Sequence, residues 1–259
     1  MSIIGVFPFG QPILPVSQKD RSPKSVFVLG VYASAVHARW DAPGMMEGIR
    51  AVAVASEPEI FWRGDDAAEI IAKIEIPEGS GQLMPAGKNL NGPSGRALDE
   101  RFLEPLGLPR SKAWLCDLVP HSCMNGRQAT ALRERYLPVM QKLGLPEPDW
   151  PTVPQKPSDE QRREDIEKEV RQSRAKVIIT LGDQPLRWFT KFFGSKSRLR
   201  DYGTETSTYG QLHQIEIGRR KLQLLPLVHP RQAGKLGSHS SEWARLHEKW
   251  RRTLAPRLV

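Results

Sequence analysis

Short apolar runs alternate along the chain with segments in which charged and apolar residues follow a helical spacing. Continuous apolar runs of this length are typical of strands that are covered on both faces. Gly30 and Gly182 end the first and the fourth predicted strand, and His229 follows the fifth. The five strands are predicted at 25–29, 50–55, 113–119, 175–181 and 221–228.

Helices are predicted between these strands. The segment 158–174 opens with Ser158-Asp159-Glu160-Gln161, which resembles a capping box. Strands that alternate with helices indicate an α/β fold, here a three-layer sandwich in which helices flank a central, mainly parallel sheet of four or five strands. The other helices are predicted at 94–103, 128–143, 184–193 and 241–254.

The chain is predicted to form one domain over residues 1–259, a length that suits one large α/β domain. Residues 1–24 are interpreted as an N-terminal extension. The proline-rich segment 145–158 is either a domain linker or a surface connection. We favour a surface connection, because strands of the same character continue after it.

Composition narrows the function classes. The chain is 39% hydrophobic and 26% charged, which excludes a disordered or collagen-like protein. Its two cysteines exclude a disulfide framework and a four-cysteine zinc or iron–sulfur site. The sequence has no Walker loop and shows no other metal or cofactor motif. We therefore expect no metal and no cofactor. The start is a poor signal peptide, and no apolar run approaches the roughly 20 residues of a membrane span. We expect a soluble, cytoplasmic monomer without a membrane partner.

Positive charge is concentrated at the C-terminal end. The net charge is +9, and residues 219–259 hold ten basic and two acidic side chains. A concentrated basic surface is typical of a protein that binds a polyanion such as a nucleic acid. A solvated basic helix without a specific partner is an equally good interpretation of the charge alone.

Polar and glycine-containing segments follow several predicted strands. Ligands of open α/β sheets bind beyond the carboxyl ends of the strands, so these segments are the candidate site. The segment 91–96 precedes a helix and offers backbone N–H groups suited to an anion. The segments after the strands are 30–34, 117–122, 182–184 and 229–234.

The order of these segments resembles the uracil-DNA glycosylase superfamily over about residues 26–250. The most specific parts are Pro226-Leu227-Val228-His229-Pro230, which is similar to the family's His-Pro motif, and the strand 177–182. The resemblance implies a four-stranded parallel sheet that is flanked by helices. It implies that the partner is DNA. It also implies flipping of a base out of the duplex and cleavage of its N-glycosidic bond without a cofactor.

The resemblance implies catalytic roles for His229 and Asp117. His229 would donate a hydrogen bond to the departing base, although a lone histidine after a strand is more often structural. Asp117 ends the strand that supplies the family's base-reading Asn. An ionised Asp would accept from uracil N3–H but repel O4. Asp117 is therefore protonated, reads a different edge or has taken over the role of the acid, and capping of a turn is the structural alternative.

The predicted base pocket departs from the family pattern. Tyr32 stands at the position of the water-activating carboxylate, so the acid would come from elsewhere, such as Asp41 or Asp117. Ser34 replaces the Tyr that excludes bulky bases, which would widen the substrate range to hypoxanthine or xanthine. Tyr32 and Trp40 are candidates for the lost stacking surface. The predicted pocket residues are Gly30, Val31, Tyr32, Ala33, Ser34 and Ala55, the last in place of a stacking Phe.

DNA contacts are predicted on two loops. After His229, Leu236 is the apolar wedge and Arg231 the polar one, since a wedge compensates for the stacking that the flipped base loses. An ordinary flexible loop is the alternative. Backbone contacts are assigned to Lys235, Ser238 and His239, and to Ser94, Gly95 and Arg96 at the start of a helix.

The sequence thus predicts a monofunctional DNA glycosylase for uracil and other deaminated bases in base excision repair. The alternative is a non-catalytic DNA-binding module that kept the fold, which Tyr32 at the position of the acid favours. A hydrolase of a small nucleoside or phosphosugar ranks last, because it does not explain the basic C-terminal end.

Overall fold

The apolar runs form two sheets rather than one. In the computed structural model, the described residues are 4–45, 48–155, 159–189, 198–235 and 240–258. A five-stranded sheet has the order β5-β1-β6-β8-β7, and a three-stranded sheet has the order β3-β2-β4. The strands are β1 (Val26–Tyr32), β2 (Ala35–Asp41), β3 (Ile49–Ser56), β4 (Gln82–Pro85), β5 (Ala113–Val119), β6 (Val177–Leu181), β7 (His213–Ile217) and β8 (Arg220–Leu227).

Helices form in all five predicted segments, and two short α-helices, Ala67–Ala72 and Pro230–Ala233, were not predicted. Asp159 caps α5, because its carboxylate accepts the N–H of Arg162 at 2.8 Å. The α-helices are α1 (Ala67–Ala72), α2 (Pro93–Leu98), α3 (Gly126–Ala131), α4 (Leu137–Lys142), α5 (Glu160–Ser173), α6 (Asp183–Phe189), α7 (Pro230–Ala233) and α8 (Ser240–Thr253). Single π-turns, Asp99–Leu103 and Leu132–Tyr136, continue α2 and join α3 to α4.

The five-stranded sheet confirms the predicted α/β class. Strands β1, β6 and β8 pair in parallel, whereas β7 is antiparallel to β8. The N–H of Ser25, just before β1, donates to the carbonyl of Lys112, just before β5, at 2.8 Å. Because β1 and β5 begin side by side, they run in the same direction. Helices flank the sheet, with α5 against β5 and α6 against β6.

Two details of the strand prediction are wrong. The run 50–55 belongs to β3, which pairs antiparallel with β2 in the smaller sheet. The connection between β2 and β3 is too short for the crossover that parallel strands require, so the two strands form a hairpin. Gly30 does not end β1, because the strand continues to Tyr32 and buries Gly30 within it.

The chain divides into two units, which are described separately. The first comprises residues 1–16, 32–93 and 120–155, and the second 17–31, 94–119 and 156–259. In the first unit, Phe7 and Ile13 are buried with Trp150, so this part of the predicted N-terminal extension is core. The single domain over 1–259 stays a prediction. Within the described residues, no helix is long and apolar enough to cross a membrane.

Candidate active site at the carboxyl edge of the sheet

His229 lies directly beyond β8, at the carboxyl edge of the five-stranded sheet. It is the N-cap of α7, and its Nδ1 accepts the backbone N–H of Arg231 at 3.2 Å. Because a backbone N–H can only donate, the neutral ring carries its proton on Nε2, which is therefore a hydrogen-bond donor. Removal from water, and then the charge of Arg231, lower the pKa of His229 to about 4. The partly buried imidazole is thus a neutral hydrogen-bond donor near pH 7.

Gly182, at the end of β6, packs directly against His229. Its N–H donates to the carbonyl of Leu227 at 2.8 Å, which ties the ends of β6 and β8 together. Its φ is +88°, and a Cβ at this position would lie 3.2 Å from the Cβ of His229. Glycine therefore satisfies both the backbone conformation and the close approach of the histidine.

Asp117 is a buried carboxyl group near the end of β5. The residue is only 3% exposed. Desolvation raises the pKa of Asp117 to about 7, the positive charge of Arg162 opposes this rise, and Glu169 adds to it. The carboxyl group is therefore close to half-ionised near pH 7, which is the condition that a general base requires.

Arg162 clamps the end of β5, a role that the sequence reasoning missed. Its guanidinium donates to the carbonyls of Asp117 and Leu118 and to the carboxylate of Glu169. Glu169 also accepts from the indole N–H of Trp114 at 2.9 Å. Arg162 and Glu169 are seven residues apart on α5, so they share one face of the helix. Their spacing in the sequence, on either side of the buried Ile166, is the feature from which this role could have been predicted.

Asp117 and His229 lie at the same edge of the sheet but not in contact. Strands β1 and β6 separate β5 from β8. At about 4.8 Å between neighbouring strands, the two backbones are roughly 14 Å apart. A molecule that touches both side chains must therefore lie between them, across β1 and β6.

The predicted pocket residues are distributed over β1, the following turn and β3. Val31 and Tyr32 are half-buried at the end of β1, Ala33 is buried and Ser34 is exposed. Within the first unit, the Ser122 hydroxyl donates to the carbonyl of Ser34, which ties the segment after β5 to this turn. Ala55 is half-buried on β3, opposite Val36 of β2, and thus lies in the smaller sheet.

Two further candidates lie on β2. Asp41 binds the guanidinium of Arg39 at 2.8 Å, and this hydrogen bond lowers the pKa of Asp41. A carboxylate held in this way is a weak base, which favours Asp117 over Asp41 as the carboxylate that activates water. Trp40 is buried, and its indole donates to the carbonyl of Ser80, so core packing accounts for it.

The predicted DNA contacts lie on the second unit. Ser94, Gly95 and Arg96 are in the first turns of α2, where Gly95 is buried and the other two are half-buried. Arg231 and Lys235 are exposed beyond His229, and Lys235 has a φ of +62°. The predicted contacts Leu236, Ser238 and His239 lie outside the described residues.

Helix α8 carries part of the C-terminal basic charge on one face. Trp243, Leu246 and Trp250 are buried on the other face. The basic side chains thus remain at the surface while the apolar ones anchor the helix, as a polyanion-binding face requires. The exposed basic residues of α8 are Arg245, Lys249 and Arg252.

Among the described residues, the His, Cys, Asp and Glu side chains form no group of three or more that could hold a metal ion. Cys116 and Cys123 are both buried, and burial raises the pKa of both thiols. Neither cysteine is thus a ready thiolate ligand or nucleophile.

The fold, with a neutral imidazole and a buried carboxyl group at one edge of the sheet, defines an α/β protein whose candidate ligand site lies beyond the carboxyl ends of its parallel strands. A family model described as Uracil DNA glycosylase superfamily matches residues 65–249, and the chain belongs to this superfamily. Membership indicates a DNA glycosylase, a hydrolase of DNA repair with DNA as its substrate. No curated protein matches the chain. Asp117 and His229 lie inside the matched residues, whereas the turn after β1 and Ala55 precede them.

Proposed function

We propose that this protein is a monofunctional DNA glycosylase that excises uracil and other deaminated bases, such as xanthine or hypoxanthine. It flips the base out of the DNA, hydrolyses its N-glycosidic bond and leaves an abasic site for base excision repair. The observation that carries the proposal is His229, whose tautomer presents an Nε2–H donor within the superfamily region. In this proposal the protein acts as a monomer in the cytoplasm. Its reaction requires neither a metal nor a cofactor.

His229 stabilises the leaving base. When the N-glycosidic bond breaks, its electron pair moves to the base, and in uracil negative charge develops on the oxygen next to that bond. The Nε2–H of His229 donates to this oxygen. Since its pKa is about 4, the ring acts as a neutral hydrogen-bond donor rather than as an acid. A donor of this kind contributes roughly 10²–10³-fold to a rate.

Asp117 activates the water. Its carboxylate takes a proton from the water that attacks the positively charged sugar carbon. The base leaves as an anion and is later protonated by solvent. The raised pKa of Asp117 supports this role, since a base with a pKa near 7 combines a sufficient ionised fraction with good proton affinity.

Small side chains support the wider substrate range. Ser34 stands where the family pattern has a Tyr, and Ala55 stands where it has a stacking Phe. Both substitutions remove ring volume from the predicted pocket. Purines such as hypoxanthine and xanthine would then enter where a narrower pocket admits only uracil.

Basic groups of the second unit bind the DNA backbone. Arg231 and Lys235 are exposed next to His229, and α8 contributes its basic face. Ser94, Gly95 and Arg96 would bind phosphates from α2. These contacts would make the affinity for DNA fall steeply as the salt concentration rises.

The substrate is tested with a panel of oligonucleotides, each with one uracil, hypoxanthine or xanthine and an unmodified control. After incubation, alkali cleaves the strand wherever a base has been removed. We expect cleavage at all three modified bases and none in the control. Strict preference for uracil would contradict the wide pocket. Salt-dependent binding without any cleavage would contradict catalysis and favour the alternative that Tyr32 suggests, a non-catalytic DNA-binding module.

A further inference from the structure

A chain of buried hydrogen bonds runs behind His229 in the second unit. The N–H of Val228 donates to the Tyr209 hydroxyl oxygen at 3.1 Å, and this hydroxyl lies 2.9 Å from Nδ1 of His247. Nε2 of His247 is 3.0 Å from the carbonyl of Arg101. The guanidinium of Arg101 in turn donates to the carbonyl of Ala233 at 3.1 Å.

The direction of every bond in this chain is fixed. The backbone N–H of Val228 can only donate, so the Tyr209 oxygen accepts and its own O–H donates to His247 Nδ1. His247 then carries its proton on Nε2 and donates to the carbonyl of Arg101, which can only accept. A single arrangement of protons therefore satisfies all members of the chain.

The surroundings of His247 keep this arrangement in place. Tyr209 is 2% exposed and His247 is 1% exposed. The imidazole stacks on Trp250 with ring centroids 5.0 Å apart and lies 4.3 Å from the Phe102 ring. Desolvation is the main cause that lowers the pKa of His247 to about 3, so the ring stays neutral. A buried network that is fully satisfied specifies one geometry more strictly than apolar packing does.

The two ends of the chain hold the segment that contains His229. Val228 immediately precedes the histidine, and Ala233 is the last residue of α7. The N–H of Ala233 donates back to the carbonyl of His229 at 3.1 Å. A shift of either end would rotate the peptides on which the imidazole is mounted. A small misplacement of a catalytic group lowers a rate strongly, because the reaction depends on its orientation.

We propose that Tyr209 and His247 are positioning residues that fix the peptide before His229 and thereby aim its Nε2–H at the departing base. This role rests on the proposed function. Neither side chain touches the substrate. Both act through the backbone of Val228 and of α7.

The first test compares Tyr209→Phe with a matched control, Tyr136→Phe. The Tyr136 hydroxyl is likewise hydrogen-bonded to the backbone, but it donates to the carbonyl of Ala51 in the first unit. For Tyr209→Phe we expect the single-turnover excision rate to fall about tenfold or more, while the Kd for the oligonucleotide changes by less than about twofold. Tyr136→Phe should retain the wild-type rate. Equal effects of the two variants on the rate would overturn the proposal.

The second test is a double-mutant cycle with His229→Ala. If Tyr209 acts through His229, Tyr209→Phe causes no further loss of rate once the imidazole is absent. Full additivity of the two losses would contradict the positioning role. His247 offers a matched pair of variants. In His247→Gln, the side-chain amide can still accept from the Tyr209 hydroxyl and donate to the carbonyl of Arg101. His247→Gln should therefore retain most of the rate that His247→Leu loses.

A third readout needs no activity. The ¹⁵N NMR signals of the His229 ring should show one protonated nitrogen, Nε2, and one acceptor, Nδ1, in the wild-type protein. In Tyr209→Phe they should move towards a mixture of tautomers, whereas in Tyr136→Phe they should not. Unchanged His229 signals in a folded Tyr209→Phe protein would overturn the positioning role. A wild-type protein that excises no base would instead contradict the proposed function and leave this spectroscopic test intact.

Discussion

Replacing Asp117 by Asn should stabilise the protein and at the same time remove its activity. The carboxyl group of Asp117 is buried on β5, and its ionised form is disfavoured there. Asn has nearly the same shape but no charge. The substitution therefore removes an unfavourable buried charge, and with it the proposed base.

The size of the effect follows from the pKa. Burial raises the pKa of Asp117 from its ordinary value of 3.8 to about 7. Each pKa unit corresponds to about 1.36 kcal/mol, so ionisation of the folded protein above pH 7 lowers its stability by roughly 4 kcal/mol. Below the unfolded-state pKa, both states are protonated and the penalty disappears. The stability gained from Asp117→Asn should thus grow as the pH rises from about 4 to about 7 and then remain constant.

Urea unfolding of the wild-type protein and of Asp117→Asn across this pH range measures the difference in the free energy of unfolding. We expect a difference of up to roughly 4 kcal/mol at about pH 8 and a much smaller one at about pH 5. Asp41→Asn is the control. Arg39 lowers the pKa of Asp41, so removing the Asp41 carboxylate should bring no such gain in stability. A difference that is independent of pH, or that shrinks as the pH rises, would refute a buried carboxyl group with a raised pKa.

Three further outcomes follow from the same region. Gly182→Ala should destabilise the protein by about 1–2 kcal/mol, because φ is +88° there, and should slow excision because the new Cβ crowds His229; an unchanged rate in a kinetic assay would contradict this contact. Thr180→Val should raise the free energy of unfolding by about 1 kcal/mol in urea titrations, since the buried Thr180 hydroxyl has no hydrogen-bond partner among the described residues; a loss of stability would show that it has one. The single-turnover rate should rise with pH through about 7 as Asp117 ionises and stay level above that, whereas a rate that falls through this range would exclude Asp117 as the base.

Four of the five strands of the larger sheet could be predicted from the sequence because they contain continuous apolar runs, whereas β7, in which buried and exposed residues alternate, was not predicted. Strand β5 was predicted with both ends correct, since all seven of its residues are buried and Pro120 follows. Strand β2 was missed because only one of its faces is buried. Val36, Ala38 and Trp40 point inwards while Arg39 is exposed, and a search for continuous apolar runs overlooks such alternation.

The candidate site was only partly predictable. The His-Pro pair marks His229 locally, and Asp117 stands out as a carboxylate in an apolar strand. Tyr209 and His247 gave no signal, because they are 38 residues apart and only tertiary packing joins them. His247 also lies within a strongly basic helix, where a histidine passes for another surface residue.

Arg162 was missed for a related reason. In the sequence it is one of many charged residues in the predicted helix 158–174. Its role depends on the two carbonyl groups at the end of β5, which lie more than forty residues away in the chain. Which charged side chain of a helix meets such groups is set by how the helix docks on the sheet, and composition does not reveal it.

The proposed mechanism depends most on His229 as the group that stabilises the departing base. The most direct test of this role is the single-turnover rate of uracil release from an oligonucleotide by the wild-type protein and by His229→Ala, with the Kd for the same DNA measured alongside. We expect the rate to fall by roughly 10²–10³-fold while the Kd changes little. Equal rates for the two proteins would contradict the role of His229.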